Sequence, residues 1–595
     1  MQYSARRWLM SLVLAVTGAT VPAVAQKVPD RWLDRDPAPA SPRQPQIVAA
    51  GAAVFVVWVS DRGGGRNIYF NRSLDRGDTW LPVDRRLNTE VSARPVAELA
   101  QIAVVDDSVY VVWAEVRQSR YQIRFNSSHD QGATWLAADV QLDPQSTRGG
   151  SFPTIAASGE HVYVAWVDGL FTQSELIFNR SLDRGATWLS GGVRVPSTPA
   201  GTSRVGSPRL VAEGDRVYLV WLDWRGLFRT NSDVYFNRSL DAGTTWLATD
   251  VRLQTSASAP LSASHARLAA EGDRVYAVWS DPRDGSRDIY FNRSVDAGAT
   301  WLSSDVRLDT SSVPGSQSSS SPVIAVDATG VYACWSNQRT STMTDIRFNR
   351  SLDAGVTWLP SDQRLDRGAE RHLASKPQLA ASGSRVFATW SELRPPGNGT
   401  DIYYNRSFDR GTTWHGVDRR LDTGSPRGAE SSSDVALACG DDAVYAVWLD
   451  RRAPRTGIYF NIPFGFGTYA RGKFGSGGLV PAISGSGLAV IGQDVTVDVA
   501  SGLGGTGGAM LIGGPGSKIS AVVLGGFIVV NPALTVPIAL DGAAGVAGAG
   551  SASLPLTLPP MPALVGAHIN CQAALLDPGA SFGVALTAGL ELWIG

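Results

Sequence analysis

An eight-residue segment recurs seven times along this 595-residue chain, and it constrains the fold more than any other feature. The segment follows the pattern Ser-x-Asp-x-Gly-x-Thr-Trp, and its closing tryptophans stand 53 to 58 residues apart. A steady period of this length indicates one small structural unit that buries its apolar surface against its neighbours. The copies are Ser73–Trp80, Ser128–Trp135, Ser181–Trp188, Ser239–Trp246, Ser294–Trp301, Ser351–Trp358 and Ser407–Trp414.

Each repeat contains four short segments with the character of β-strands. A run such as Gln46–Ala50 opens the unit, and an apolar run such as Val109–Trp113 follows, as expected of a strand between two packed sheets. A third strand resembling Asp288–Asn292 leads into the repeated segment, and a strand resembling Asp305–Asp309 ends the unit. Four strands repeated radially are typical of a β-propeller.

The apolar second strand, which ends in Trp, occurs eight times, so the sequence predicts eight blades. The eighth unit ends after its third strand, Ile458–Asn461, without the repeated segment. The N-terminal residues Asp30–Asp34 resemble a fourth strand that has no unit of its own. We expect this strand to pair with the last blade and close the ring, which removes an exposed sheet edge.

The repeated segment resembles the Asp-box, or BNR repeat, of the sialidase-like β-propellers. Its Asp and Ser side chains suit hydrogen bonding within a tight turn, its Gly suits a positive φ, and its Trp covers the hairpin. The resemblance covers about residues 30–462, and it implies a hairpin more specifically than an activity. The structural Asp-box aspartates are Asp75, Asp130, Asp183, Asp241, Asp296, Asp353 and Asp409.

The two ends of the chain differ from the repeats. Residues 1–25 have the charged start, short apolar run and Ala-Val-Ala cleavage pattern of a signal peptide, which predicts export to the periplasm, cell surface or medium. No later stretch predicts a transmembrane helix in the mature chain. The propeller is expected over 26–463, and a small β-sandwich over the Gly-rich residues 464–595, which resemble modules that end many exported bacterial proteins.

Charged side chains follow the second strand of nearly every unit, with an acid and then an Arg. A pattern repeated in every blade favours structural ion pairs, whereas a site that acts on a ligand breaks the symmetry. Units three and four do break it, because unit three lacks the Arg and both carry Gly-Leu-Phe. The resulting candidate ligand-binding residues are Asp168, Phe171, Asp223, Trp224, Arg225 and Phe228.

The resemblance to sialidases implies three arginines around a substrate carboxylate, a Tyr nucleophile beside a Glu, and an Asp acid. The Arg-Ile-Pro signature of that family is absent, and Arg43-Gln44-Pro45 is the nearest match. Arg209 and Arg267 enter units four and five at comparable places. The sequence shows no Tyr that stands apart from the repeat with a Glu expected beside it.

The sequence therefore predicts an all-β, exported, non-catalytic propeller that binds a glycan or a cell-surface protein. An exo-acting sialidase-type hydrolase is the first alternative, and a structural envelope protein is the second. Three arginines converging beside a Tyr–Glu pair would favour the hydrolase. The net charge of −1 argues against a nucleic-acid partner. The scattered histidines predict no metal site, no cofactor is expected, and the oligomeric state is left open.

Overall fold

The computed structural model describes residues 30–594 of an all-β chain, and these contain no α-helix. The predicted signal peptide lies outside the described residues. No helix in the described part of the chain has the length and hydropathy of a membrane span. The ranges not described within 30–594 are 35–40, 63, 90–94, 147, 171–172, 196–203, 226–230, 257–261, 368–371, 396, 441–442, 453–455, 465, 470–471, 488, 490, 515–516, 524–525, 562–563 and 565–566.

The described residues before 465 form consecutive four-stranded antiparallel units, which we number one to eight in chain order. The first strands of neighbouring units contact one another and are therefore the inner strands of a propeller-like arrangement. Units one to four comprise β2 (Arg43–Ala50), β3 (Ala53–Ser60), β4 (Asn67–Ser73), β5 (Arg85–Arg86); β6 (Ala97–Val105), β7 (Ser108–Arg117), β8 (Arg120–Ser128), β9 (Val140–Gln141); β10 (Gly150–Ser158), β11 (His161–Leu170), β12 (Gln173–Ser181), β13 (Val193–Arg194); and β14 (Val205–Glu213), β15 (Arg216–Asp223), β16 (Asp233–Ser239), β17 (Val251–Arg252).

Units five to eight repeat this order, and a single parallel bridge between Thr344 and Leu373 joins units six and seven. Their strands are β18 (Ser264–Glu271), β19 (Arg274–Asp281), β20 (Asp288–Ser294), β21 (Val306–Arg307); β22 (Ser318–Asp327), β23 (Gly330–Thr340), β24 (Met343–Ser351), β25 (Gln363–Arg364); β26 (Leu373–Ser382), β27 (Arg385–Leu393), β28 (Thr400–Ser407), β29 (Arg419–Arg420); and β30 (Ser432–Cys439), β31 (Val444–Asp450), β32 (Gly457–Phe464).

The fourth strand of unit eight comes from the N-terminus. Strand β1 (Arg31–Trp32) pairs antiparallel with β32. Asp30 accepts a 2.9 Å hydrogen bond from Asn461 and forms a 2.8 Å ion pair with Arg452. Units one and eight also share an apolar cluster, so the first and last units pack together.

Every Asp-box hairpin has the same internal hydrogen bonds, which unit four illustrates. The Ser239 hydroxyl donates to Asp241 over 2.7 Å and accepts from the Gly243 amide over 2.8 Å. Asp241 also accepts from the amide and hydroxyl of Thr245. These hydrogen bonds lower the pKa of Asp241 to about 2, and the bond from the Thr245 amide has the largest effect. The hairpin therefore holds its Asp as a structural acceptor.

Each Asp-box clamps its unit to the preceding one. Trp246 of unit four packs edge-on against Phe178 of unit three, with ring centroids 4.9 Å apart. Gly243 has φ +81°, and a Cβ there would stand 2.3 Å from the Phe178 ring. Glycine is thus required both for the backbone conformation and for the approach of the ring.

The region after residue 465 contains three further sheets. Their strands are β33 (Phe466–Tyr469), β34 (Ala482–Gly487), β35 (Asp494–Leu503), β36 (Gly507–Gly513), β37 (Lys518–Val523), β38 (Gly526–Val530), β39 (Leu534–Ala539), β40 (Ala547–Thr557), β41 (His568–Leu576), β42 (Val584–Leu586) and β43 (Gly589–Trp593). The first sheet has the order β33-β43-β41-β36-β39, with β42 beside β41; the second has the order β34-β35-β40; and the third pairs β37 with β38. The first two sheets share one apolar core.

We predict that Gly243→Ala lowers the free energy of unfolding by about 3 kcal/mol, because strain at positive φ adds to a clash with Phe178. Gly214→Ala is the matched control, since Gly214 has φ +57° but no atom within 4 Å of an added Cβ. This control should cost only about 1 kcal/mol. Chemical denaturation of both variants measures the difference, and equal losses would contradict an inter-unit clamp.

Candidate active site

An acid, an Arg and a second acid form a buried ion-pair cluster at the end of the second strand in most units. In unit four, Arg225 pairs with Asp223 over 2.6 Å and with Asp250 over 2.8 Å. The Arg225 guanidinium also lies over the Tyr235 ring, 3.7 Å from its centroid. Equivalent clusters centre on Arg117, Arg283, Arg394 and Arg452. The candidates Asp223 and Arg225 are therefore placed in a repeated stabilising contact.

Unit three breaks this pattern and leaves an acid uncompensated. Asp168 occupies the position of Asp223, but Leu170 stands where unit four has Arg225. Among the described residues, no cation lies within ion-pair distance of Asp168, which accepts a 2.5 Å hydrogen bond from the Ser146 hydroxyl. Burial raises the pKa of Asp168. A half-buried carboxyl of this kind can hold and donate a proton at higher pH than an exposed one.

A cavity of about 570 Å³ lies between units two, three and four. Val167 and Gly169, the two neighbours of Asp168 in the chain, form part of its wall. Its other lining residues include side chains from the inner strands and from the loops that enter the units. The polar and aromatic lining residues are Glu98, Ser119, Arg120, Tyr121, Arg148, Ser151, Phe152, Ser174, Arg204, Ser207 and Trp224.

Tyr121 and Glu98 form a hydrogen-bonded pair in this cavity. The Tyr121 hydroxyl donates to Glu98 Oε1 over 2.7 Å, and Arg66 pairs with Glu98 Oε2 over 2.5 Å. The hydrogen bond to Glu98 raises the pKa of Tyr121, and burial adds to this shift. Arg66 orients the Glu98 carboxylate through Oε2, while Oε1 remains able to take the proton of the Tyr121 hydroxyl.

Three arginines and one tryptophan line the same cavity. Arg120, Arg148 and Arg204 are partly or fully exposed there. Arg120 Nη1 donates to the Ser146 carbonyl oxygen, and each guanidinium keeps further N–H groups for an anionic ligand. The Arg204 guanidinium lies over the Trp224 ring, 4.8 Å from its centroid. Trp224 is half-buried and packs partly against the core of units four and five. Cations beside an aromatic ring form a surface suited to a charged sugar.

The expectation that no Tyr stands beside a Glu is wrong. Tyr121 is the second residue of the third strand of unit two, at the position where unit one has Arg66, and Glu98 lies on the inner strand of the same unit. The departure of Tyr121 from the repeat is visible in the sequence. Its contact with Glu98 is not, because it joins the first and third strands of the unit beside a bulge in the inner strand.

The other candidate residues lie elsewhere or outside the described chain. Arg43 lies on the inner strand of unit one and pairs with Asp61 over 3.5 Å. Arg209 and Arg267 lie on the inner strands of units four and five. Arg43, Arg209 and Arg267 are therefore not among the residues that line the cavity of units two to four. Phe171 and Phe228 fall outside the described residues.

One buried cluster, formed by Asp345, Asp366 and His372, has a spacing that could hold a metal ion. Its carboxylates are already compensated, since Asp345 pairs with Arg339 over 2.8 Å and Asp366 with Arg364 over 2.7 Å. His372 bridges both carboxylates. The cluster is therefore explained as an ion-pair network between units six and seven.

No protein-family model and no curated protein matches the chain. A polysaccharide lyase of family PL25, described as an ulvan lyase, covers 71% of this chain and 94% of its own at 12% identity, with a TM-score of 0.40. An α-L-arabinofuranosidase of Fusarium graminearum covers 62% and 92% at 12% identity, with a TM-score of 0.34. An endo-arabinanase of Bacillus licheniformis covers 46% and 94% at 13% identity, with a TM-score of 0.26.

These similar structures are of carbohydrate-active enzymes, and their similarity to this chain extends to the fold alone. The expectation of a non-catalytic binder is corrected on the site itself. The cavity agrees with this correction, because it combines three arginines with a Tyr–Glu pair.

We expect the stability of the protein to depend on pH through Asp143, a buried residue near Asp168. Burial raises the pKa of Asp143 to about 6, whereas an unfolded Asp titrates near about 3.9. The folded state therefore binds more protons, and stability falls as the pH rises from about 4 to about 6. Asp143→Asn should stabilise the protein by about 2 kcal/mol at pH 8 and change little at pH 4.

The amide is compatible with this position, because Asn88 occupies it in unit one and donates to Glu115 over 2.9 Å. Thermal unfolding at both pH values measures the effect, with Asp541→Asn on an exposed turn as the control. Equal stabilisation at pH 4 and pH 8 would show that ionisation of Asp143 is not the cause.

Proposed function

We propose that this protein is an exported enzyme that cleaves a glycan carrying a carboxylate-bearing sugar, with a hydrolase of sialidase type as the specific form. The scaffold we propose is an eight-bladed β-propeller with Asp-box hairpins, followed by a sandwich-like C-terminal module. The observation that carries the proposal is the Tyr121–Glu98 pair in a cavity lined by Arg120, Arg148 and Arg204.

The arginines supply the binding step. Guanidinium groups bind carboxylates through paired hydrogen bonds, and a cavity wall strengthens these contacts by excluding water. Trp224 offers an apolar ring face for the sugar. A neutral sugar of the same shape would leave the arginines unpaired, so the proposed specificity is for acidic sugars.

Tyr121 and Glu98 supply the bond-forming step. As the Tyr121 oxygen attacks the anomeric carbon, its proton passes to Glu98 Oε1, and the glycosidic bond breaks. We assign the protonation of the departing oxygen to Asp168, whose pKa is raised by burial and whose chain neighbours Val167 and Gly169 form part of the cavity wall. Water then cleaves the glycosyl–tyrosine bond, with Asp168 taking a proton from the water and Glu98 returning one to Tyr121.

A screen of acidic glycans tests the proposal directly. Wild-type protein is incubated with aryl glycosides of sialic and uronic acids and with acidic polysaccharides, and the released aglycone or reducing ends are measured. We expect hydrolysis of at least one carboxylated substrate. Turnover restricted to neutral sugars would contradict substrate binding by Arg120, Arg148 and Arg204. An unsaturated product that absorbs ultraviolet light would show that the enzyme cleaves by elimination and not by hydrolysis.

Tyr121→Phe should lower kcat at least about 10³-fold on the active substrate, because it removes the attacking oxygen and leaves the ring in place. Tyr235→Phe is the matched control, since Tyr235 lies beneath Arg225 in the repeated ion-pair cluster. The control should keep wild-type kcat. A Tyr121→Phe variant that retains full activity would exclude this residue as the nucleophile.

Asp168→Asn should lower kcat about 10²- to 10⁴-fold on substrates with poor leaving groups, since these need protonation. The loss should be much smaller for an activated aryl leaving group. The wild-type rate for the poor leaving group should also fall as the pH rises through the pKa of Asp168, because only its protonated form is active. Equal losses for both leaving groups would remove Asp168 from the role of general acid.

A further inference from the structure

Two arginines stand side by side on the inner strands of units four and five, away from the proposed catalytic pair. Arg209 on β14 and Arg267 on β18 each follow a β-bulge by two residues. The bulge residues, Ser207 and His265, have φ values of +52° and +55°. The inner strands of a propeller surround a central channel. Strands β14 and β18 contact each other, and the two arginines stand at the same position relative to the bulge of each strand. The two guanidinium groups therefore lie on adjoining parts of the wall of this channel.

Neither arginine has a compensating carboxylate. Arg209 donates to the carbonyl oxygen of Pro208 over 2.9 Å, and Arg267 donates to that of Ala266 over 3.1 Å. Within the described part of the chain, neither one forms an ion pair with an Asp or Glu. Burial, with Arg209 as a second cause, lowers the pKa of Arg267, yet a guanidinium keeps its charge in a protein.

This positive charge is not part of the repeat. The corresponding positions in the other units carry neutral side chains, and a cation that stands at the bulge of unit seven is compensated. Lys376 there pairs with Asp434 of unit eight over 2.8 Å. The neutral residues at the equivalent positions are Gln46, Gln101, Thr154, Val323, Gln378 and Ala436.

We propose that Arg209 and Arg267 form an oxyanion-binding site in the central channel, which takes a sulfate, phosphate or carboxylate group. Two adjacent guanidinium groups repel each other unless an anion lies between them, and their N–H groups match the spacing of oxyanion oxygens. Arg287 extends the positive surface, and its Nη1 donates to Ser264 over 2.8 Å. This second site requires no catalytic step at Tyr121.

The anion can be a free ion or a charged substituent of a glycan. Gly206 and Ser207 line the cavity and precede Arg209 on the same strand by three and two residues. At about 3.3 Å per residue, the arginine pair lies about 7 to 10 Å along the strand from the cavity wall. An acidic oligosaccharide seated in the cavity would therefore bring a neighbouring charged group to this site.

Arg209→Gln and Arg267→Gln test the site, because glutamine stands at the same position in units one, two and seven. Binding of sodium sulfate to the full chain is measured by calorimetry and by thermal unfolding, with sodium chloride holding ionic strength constant. We expect wild-type protein to bind sulfate and each variant to bind it at least about 10-fold more weakly. Arg274→Gln, an exposed arginine on β19, is the control and should bind sulfate as wild type does.

Two further readouts separate this site from a structural role and from the proposed activity. Without sulfate, both variants should unfold at a higher temperature than wild type, because like-charge repulsion is relieved. Competition of a sulfated or carboxylated oligosaccharide with sulfate would identify the glycan as the source, and no competition would identify a free anion. Wild-type stability that does not respond to sulfate, or that responds equally in the variants, would overturn the proposal, whatever activity is found on a small aryl glycoside.

Discussion

The edge-on contact between a tryptophan of one unit and a phenylalanine of the preceding unit is the interaction on which the ring depends. It occurs seven times with centroids 4.8 to 4.9 Å apart. Each contact needs a glycine beside the phenylalanine ring and an Asp that holds the turn, so one short motif determines the spacing of the units. The repeated arginine near the end of the third strand adds a hydrogen bond to the same turn, as Arg238 does to the Ala297 carbonyl oxygen.

Unit eight lacks an Asp-box, and other parts of the chain make the missing contacts. The junction between units one and eight keeps the regular contact of Trp80 with Phe460, and Arg31 of β1 adds an ion pair with Asp78. On the other side of unit eight, the buried Arg406 of unit seven donates to the carbonyl oxygen of Ile594 over 3.1 Å. The end of the C-terminal region thus replaces an Asp-box turn, which links that region to the stability of the ring.

The scaffold follows from the sequence more completely than the site does. Strand order, Asp-box turns and the pairing of Asp30 with unit eight depend on local patterns that recur in the chain. Asp168 and Trp224 were also predictable, since Asp168 lacks the arginine that follows this acid in most other units and Trp224 itself departs from the repeat. Glu98, Arg120 and Arg204 were not, because they meet only where loops and bulged inner strands of three units converge.

We infer that the broken symmetry of units two to four forms an enzyme site. A crystal structure of the inactive Tyr121→Phe variant, bound to the glycan that wild type cleaves, is the decisive measurement. We expect a sugar ring against Trp224, its carboxylate on Arg120, Arg148 and Arg204, and its anomeric carbon beside residue 121. A glycan bound over any other group of units would contradict it.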